Sequence, residues 1–288
     1  MHVLITGASG FIGRVLFDRL RAKGHRVKGL IRPGNRVFGN DCIEYSLGSA
    51  APLELPPGID AVIHLAQARA YQAFPGDAAE MFQVNVAGTQ TVLEAAAAAG
   101  IKHVCLASSG AVYAPFKGIL TEDAPLAPRS YLGASKLAAE IIALPFETQF
   151  SLSILRLFTP YGPGQSNRLI PDLIWRIRSG EPVDLPESSD GMRFAPTYVD
   201  DVCDVIESAV MDDWTGVFNV AMPGSITIGE AVAIIGKILG KDVITRRKPL
   251  SAPVVVPDLT RLAGRYDLDR FRRFEDGISA TVLPKRGR

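Results

Sequence analysis

Three glycines at the start of the chain carry the clearest chemical signal. Residues 1–13 read MHVLITGASGFIG, with Gly7, Gly10 and Gly13 at GxxGxxG spacing. Val3, Leu4 and Ile5 form the apolar run of a strand buried on both faces. An amphipathic helix follows over 11–21. A glycine turn between a strand and a helix is the arrangement that seats a pyrophosphate: Gly7 for the tight turn, Gly10 for close approach of the phosphates, Gly13 for packing of helix against strand. The N–H groups at the start of the helix then face the anion.

A second chemical signal stands at the end of the next strand, 26–32. Dinucleotide sites place a carboxylate here for the adenosine ribose hydroxyls. This strand closes Leu30-Ile31-Arg32, and Arg36 follows. A guanidinium suits a ribose 2′-phosphate. The pattern favours NADP(H), with NAD(H) the alternative and a solvated loop the plain reading of both arginines. A third signal is Ser109, just past the apolar strand 102–107, where open parallel sheets bind their ligands. His64, inside the apolar strand 60–66, reads as a packed side chain.

The elements that must position these residues alternate in type. Strands are predicted over 2–5, 26–32, 41–47, 60–66, 102–107 and 151–158, and helices over 11–21, 78–100 and 132–144. This predicts an α/β fold with a Rossmann-like, doubly wound parallel sheet. The pattern changes after Arg168: a helix over 169–179, a Pro/Gly/Ser-rich stretch to 196, a helix opening at Val199, a strand over 217–220, a helix over 228–239, and a Pro- and Arg-rich tail. The expected division is a dinucleotide-binding domain over 1–165, with 197–220 returning to it, and a smaller, discontinuous C-terminal substrate lobe over 166–196 and 221–288. Helices 78–100 and 132–144 are apolar on more than one face, as a homodimer interface built from both would be.

Composition narrows the class. The 288 residues are 47% hydrophobic and 21% charged, with a net charge of +1, so no nucleic-acid or membrane partner is expected. Cys42, Cys105 and Cys203 are scattered and read as reduced thiols of a cytoplasmic protein. No metal-ligand spacing is present, no signal peptide is expected, and no apolar run reaches transmembrane length.

Several segments in sequence order resemble the extended short-chain dehydrogenase/reductase family of NAD(P)-dependent epimerases and dehydratases. They are TGASGFIG (6–13), DAVIHLA (60–66), NVAGT (85–89), SSGAVY (108–113), GASKLAAE (133–140), YGPG (161–164) and TYVDD (197–201). The resemblance implies a cytoplasmic oxidoreductase or isomerase acting on a nucleotide-linked sugar as epimerase, reductase or dehydratase. It places Gly7, Gly10, Phe11, Ile12 and Gly13 on the pyrophosphate, and Leu65, Ala66 and Gln67 beside the adenosine and its ribose. Asn85 supports the coenzyme pocket. Ser109 orients the reacting oxygen, and Lys136 holds the nicotinamide ribose. Tyr113, Thr159 and Arg193 fall on the substrate side.

One departure matters. The family carries its catalytic tyrosine four residues before the lysine, and that position is Leu132. Tyr131 lies five residues back, rotated by about 100° on a helix, and leucine has no proton to exchange. Two further departures are Thr159, where relatives often have Asn, and Ser46, where they often have Asp. An active enzyme with a substitute acid/base (Tyr131 through a backbone shift, Tyr113, Ser109 through water, or a substrate group), one whose chemistry depends little on that proton, and a non-catalytic dinucleotide-binding sensor or scaffold are the readings these residues leave.

Overall fold

The computed structural model describes residues 1–35 and 38–283; the expectation for Arg36 lies outside the described residues. The chain forms two compact units. The first comprises Met1–Pro115, Glu122–Leu157 and Cys203–Asn219, and the second Phe116–Thr121, Phe158–Val202 and Val220–Arg288.

The first unit is built on β1 (His2–Thr6), α1 (Phe11–Ala22), β2 (Arg26–Ile31), β3 (Cys42–Glu44) and β4 (Ala61–His64), then α2 (Ala78–Met81), a π-helical segment Phe82–Ala87, and α3 (Gly88–Ala98). It continues through β5 (His103–Ser109), α4 (Tyr131–Ala143) and β6 (Ser151–Leu157). β1 pairs in parallel with both β2 and β4, β2 with β3, β4 with β5, and β5 with β6. A seventh strand, Gly216–Val220, lies beside β6 and gives the order β3-β2-β1-β4-β5-β6 followed by that strand. The order reverses between β1 and β4, the switch point where open α/β sheets hold their ligands. Every residue of β1 is buried, as its apolar run requires. Val62, Val104, Ile154, Val92 and Leu93 join the core under the helices.

Two expectations need correction. The predicted strand over 41–47 is only Cys42–Glu44, and Ser46 lies beyond it, exposed, with its carbonyl accepting from the Ser49 N–H. The predicted helix over 78–100 is not uniform: its middle widens to π geometry over Phe82–Ala87. There the Thr89 and Thr91 hydroxyls donate to the carbonyls of Asn85 and Ala87. Single π turns of this kind often mark functional positions.

The second unit holds β7 (Pro160–Tyr161), α5 (Leu169–Ser179), β8 (Val183–Pro186), β9 (Arg193–Phe194), β10 (Thr197–Tyr198) and the start of α6 (Val199–Met211). Beyond the strand at Gly216–Val220, which we label β11, it adds β12 (Ile226–Thr227), α7 (Ile228–Leu239), β13 (Thr245–Lys248), β14 (Val254–Val255), α8 (Thr260–Ala263) and α9 (Phe274–Val282). The tail, read from sequence as Pro- and Arg-rich, is therefore structured: β13 pairs with β8 and β14 with β9. The TYVDD segment anchors it. The Asp201 carboxylate accepts the Arg272 N–H at 2.9 Å, and the Arg272 guanidinium lies 4.3 Å from the Tyr198 ring centre. α7 begins with a capping box between Thr227 and Glu230 and ends at Gly240 in left-handed conformation, as helix-end chemistry dictates.

Candidate active site

The glycine turn leaves β1 at the switch point. Gly7 has φ +66°, which glycine adopts without strain, and a Cβ there would lie 2.9 Å from the Ala66 backbone at the end of β4. Gly7 thus lets the two strand ends close on each other. A Cβ on Gly13 would stand 2.2 Å from the Gly7 carbonyl oxygen and 2.8 Å from the Ala8 Cα. Gly13 therefore clears the backbone of the turn that directly follows β1. The Gly10 N–H donates to the Gly7 carbonyl at 2.8 Å, and no side chain caps α1. A helix start free of a capping side chain, behind a turn in which Gly7 and Gly10 carry no side chains, fits a pyrophosphate. Phe11 and Ile12 supply the first N–H groups of that helix.

A buried hydrogen-bond chain stands behind the turn. The Ala66 N–H donates to Thr6 Oγ1 (3.2 Å), Thr6 Oγ1 to His64 Nδ1 (2.7 Å), His64 Nε2 to Thr89 Oγ1 (3.0 Å) and Thr89 Oγ1 to the Asn85 carbonyl (2.6 Å). Each hydroxyl gives one bond and accepts one, which fixes the imidazole as its neutral Nε2–H form. Burial, with the nearby Lys136 charge, pushes the His64 pKa down to about 3. His64 is a packed structural residue, as its strand position predicts.

Asn85 uses both polar atoms of its side chain. Its Oδ1 accepts the Ala68 N–H (2.9 Å), and its Nδ2 donates to Ser135 Oγ (3.0 Å), which donates in turn to the Leu132 carbonyl (2.9 Å). The side chain ties the segment after β4, which carries Leu65, Ala66 and Gln67, to the first turns of α4.

α4 is regular from its first residue. Ser130 caps it by accepting the Gly133 N–H at 3.1 Å. A Cβ on Gly133 would lie 2.5 Å from the Ala111 carbonyl, so this first turn sits against the turn following Ser109. The backbone shift that would bring Tyr131 over Lys136 is absent. Its ring packs instead on Phe74, with centres 5.6 Å apart. Replacing Tyr131 by Phe keeps that contact, so turnover is expected to change by less than about threefold, since general acid/base loss costs about 10²-fold or more; steady-state kinetics on the variant checks it.

Lys136 lies on the buried side of α4, 5% exposed, and its Nζ donates to the Ala107 carbonyl at 3.0 Å near the end of β5. Burial pulls its pKa down to about 8, against a raising influence from Glu140. Ser109, half-buried at the end of β5, accepts the Ala111 N–H on its Oγ at 3.1 Å, which leaves its hydroxyl hydrogen to donate outward.

Tyr113, a candidate on the substrate side, is withdrawn into a buried network. Its OH donates to Asn219 Oδ1 (2.8 Å) and accepts from Arg156 Nη1 (2.7 Å). Arg156 forks onto Glu140 at 2.8–3.2 Å and reaches the Glu122 carbonyl, while Ser108 donates to Glu140. Sequence reading missed this cluster. Its signal was an Arg and a Glu inside otherwise apolar elements, 151–158 and 132–144.

Arg32, one residue past β2, is exposed. In the second unit, Thr159 takes φ +38° and its carbonyl accepts the Thr197 N–H. Arg193 turns to its own unit, where its Nη1 lies 3.4 Å from the Ser225 hydroxyl and 3.9 Å from Glu230 Oε2. Among the described residues no cluster of His, Cys, Asp or Glu could hold a metal ion.

Comparison with known proteins decides the family. The family model described as NAD dependent epimerase/dehydratase family matches residues 3–221. The chain belongs to that family. The protein is an enzyme of this family, and three similar proteins show the family's range. One is a dTDP-glucose 4,6-dehydratase of Streptomyces griseus, 29% identical over 307 aligned residues that cover 98% of this chain and 93% of the relative. A solved structure of MoeE5 in complex with UDP-glucuronic acid and NAD is 30% identical, with a TM-score of 0.83 over 98% of this chain and 97% of that one. The UDP-glucose 4-epimerase of Thermus thermophilus, solved in complex with NAD, is 25% identical, with a TM-score of 0.80 over 98% of both chains. The epimerase/dehydratase fold thus extends over nearly the whole chain, and no helix among the described residues is long and apolar enough to cross a membrane.

Proposed function

We propose that the protein is an NAD(P)-dependent enzyme that epimerises, reduces or dehydrates a nucleotide-linked sugar, with an active site in which position 132 takes no part in proton transfer. The observation that supports this reading is the uncapped glycine turn at the switch point together with Ser109 and Lys136 at the end of β5, the strand on the far side of β4. Gly7, Gly10, Phe11, Ile12 and Gly13 would hold the pyrophosphate, Leu65, Ala66 and Gln67 would border the adenosine side, and Lys136 would hold the nicotinamide ribose. The bound coenzyme supplies hydride acceptance and donation; Ser109 would orient the sugar oxygen by its free hydroxyl hydrogen. Relatives bound to UDP-glucuronic acid and UDP-glucose support a uridine or thymidine diphosphate sugar as substrate.

For the coenzyme, Arg32 and the lack of a carboxylate at the end of β2 favour NADP(H) over NAD(H). For assembly, exposed Phe82, Ile141 and Leu144 on the 78–100 and 132–144 segments favour a homodimer through both. Thr159 and Arg193 remain on the substrate side of this reading, Arg193 only on release of its contacts with Ser225 and Glu230.

Purified protein incubated with NADP(H) or NAD(H) and a panel of UDP-, dTDP- and GDP-sugars tests the proposal, with products resolved by chromatography. Conversion of at least one sugar is expected. Replacing Arg32 by Ala is expected to weaken NADP(H) about tenfold and leave NAD(H) nearly unchanged, the loss of one charged phosphate contact of about 1.5 kcal/mol. Tight coenzyme binding with no sugar bound or converted would favour a sensor or scaffold instead, for which Leu132 is the one supporting residue.

A further inference from the structure

We propose that Lys136 itself is the general acid/base of this enzyme, taking the sugar hydroxyl proton that position 132 cannot take. The inference rests on the function proposed above and names the group that completes its chemistry.

The geometry removes the other groups around the end of β5 and the first turns of α4. Leu132 has no exchangeable proton. Tyr131 is turned onto Phe74 by a helix that is regular from its first residue. The Tyr113 hydroxyl is enclosed between Arg156 and Asn219. Ser109 is an alcohol, whose pKa lies far above the working range of a general base. Asn85 and Ser135 spend their polar atoms on each other and on backbone groups. Lys136 remains, with its Nζ bound to the carbonyl of Ala107, which lies two residues before Ser109 on β5.

The charges around Lys136 suit that role. Glu140, one turn along the same helix, favours the charged lysine but is engaged by the two-pronged contact with Arg156 from β6 and by the Ser108 hydroxyl from β5, so no carboxylate among the described residues is paired with the lysine alone. His64 faces it from β4 as a neutral imidazole. Tyr113 and Glu122 belong to the Arg156 network. A buried ammonium without a dedicated counter-ion gives up its proton readily, and the direction of the Lys136 shift agrees. Leu132 preserves this condition by placing a hydrocarbon where a phenol would offer a hydrogen-bond partner.

The atoms balance. A neutral amine has two N–H bonds and one lone pair. One N–H holds the Ala107 carbonyl, the second is left for the coenzyme ribose, and the lone pair accepts the proton. In the oxidising direction the sugar O–H bond breaks with its proton going to Nζ, the carbinol hydride goes to the nicotinamide coenzyme, and a carbonyl and an ammonium result. Reduction returns both.

The test separates this role from ribose holding alone. NMR titration of 15N-lysine-labelled, coenzyme-free protein, with the Lys136 signal assigned through Lys136→Arg, reads the lysine charge directly. A midpoint near pH 8 is expected, matching the midpoint at which wild-type oxidation rises and reduction falls. Arginine keeps the charge and the donors but stays protonated in proteins. Lys136→Arg is therefore expected to bind coenzyme within about tenfold of wild type and to lose turnover by about 10²–10⁴-fold. Leu132→Tyr in the Lys136→Arg background is expected to restore part of that loss. A lysine midpoint above about pH 10, the ordinary lysine value, or Lys136→Arg turnover within about tenfold of wild type, would overturn the role of Lys136 while leaving the proposed function standing. Wild-type protein that binds coenzyme yet converts no sugar would overturn the proposed function, and the role of Lys136 with it.

Discussion

Replacing Gly13 by Ala is expected to lower coenzyme affinity by about a hundredfold or more and to destabilise the first unit by about 3 kcal/mol. The added Cβ would stand 2.2 Å from the Gly7 carbonyl oxygen and 2.8 Å from the Ala8 Cα. Both obstacles are backbone, so no rotation of a flexible side chain relieves them, and overpacking of this kind costs about 1–3 kcal/mol or more. The turn must open or α1 must move outward. Either motion displaces the N–H groups of Phe11 and Ile12 from the phosphates they would meet, and a loss of about 2.7 kcal/mol in that contact is a hundredfold in affinity. Calorimetric titration of coenzyme and urea unfolding of the variant read the two effects separately. An unchanged affinity would mean that the turn does not touch the ligand.

Replacing Arg156 by Met is expected to cost about 3–5 kcal/mol, the effect of stranding one partner of a buried ion pair. Both side chains are 4–5% exposed, and the guanidinium satisfies Glu140, the Tyr113 hydroxyl and the Glu122 carbonyl together. Its removal leaves a carboxylate in a low-dielectric interior with only Ser108 to bond it. Replacing Glu140 by Leu in the same chain removes the stranded charge, so the double variant is expected to be more stable than the Arg156→Met variant alone. Such non-additivity is the mark of groups in direct contact. Urea unfolding of the two single variants and the double variant measures it, and additive losses would show that the pair contributes no coupling.

Much of the sheet was legible because its signal is local. Buried parallel strands are apolar runs, and the runs at 2–5, 60–66 and 151–158 fall on β1, β4 and β6. The helices over 169–179 and 228–239 were bounded by glycines at 180 and 240, which end them in left-handed conformation. The glycine turn was legible for the same reason, whereas the particular carbonyl that Gly13 clears, that of Gly7, shows only in the folded turn. The register of Leu132 and Tyr131 relative to Lys136 followed from the family's spacing, which the resemblance implies, together with helix periodicity, and α4 is helical from Tyr131 onward.

What the sequence concealed depends on contacts between distant segments. Tyr113 stood in a stretch pointing at the site, yet its hydroxyl is taken by Arg156 and Asn219, 43 and 106 residues away. Arg193 was placed on the substrate side by resemblance, and its partners Ser225 and Glu230 come from a later segment. The π turn at Phe82–Ala87 carries no pattern of its own, because Asn85 and Thr89 shape it through bonds to Ala68, Ser135 and His64. The tail from 245 to 282 was opaque because its short strands pair with β8 and β9 rather than with neighbours in the chain.

The measurement closest to the centre of this account is a calorimetric titration of the purified wild-type protein with NADP+ and with NAD+. Saturable binding of one coenzyme per chain, tighter for NADP+, is the expected result. Absence of binding for both would contradict the seat assigned to the turn at Gly7–Gly13, and every role built upon it.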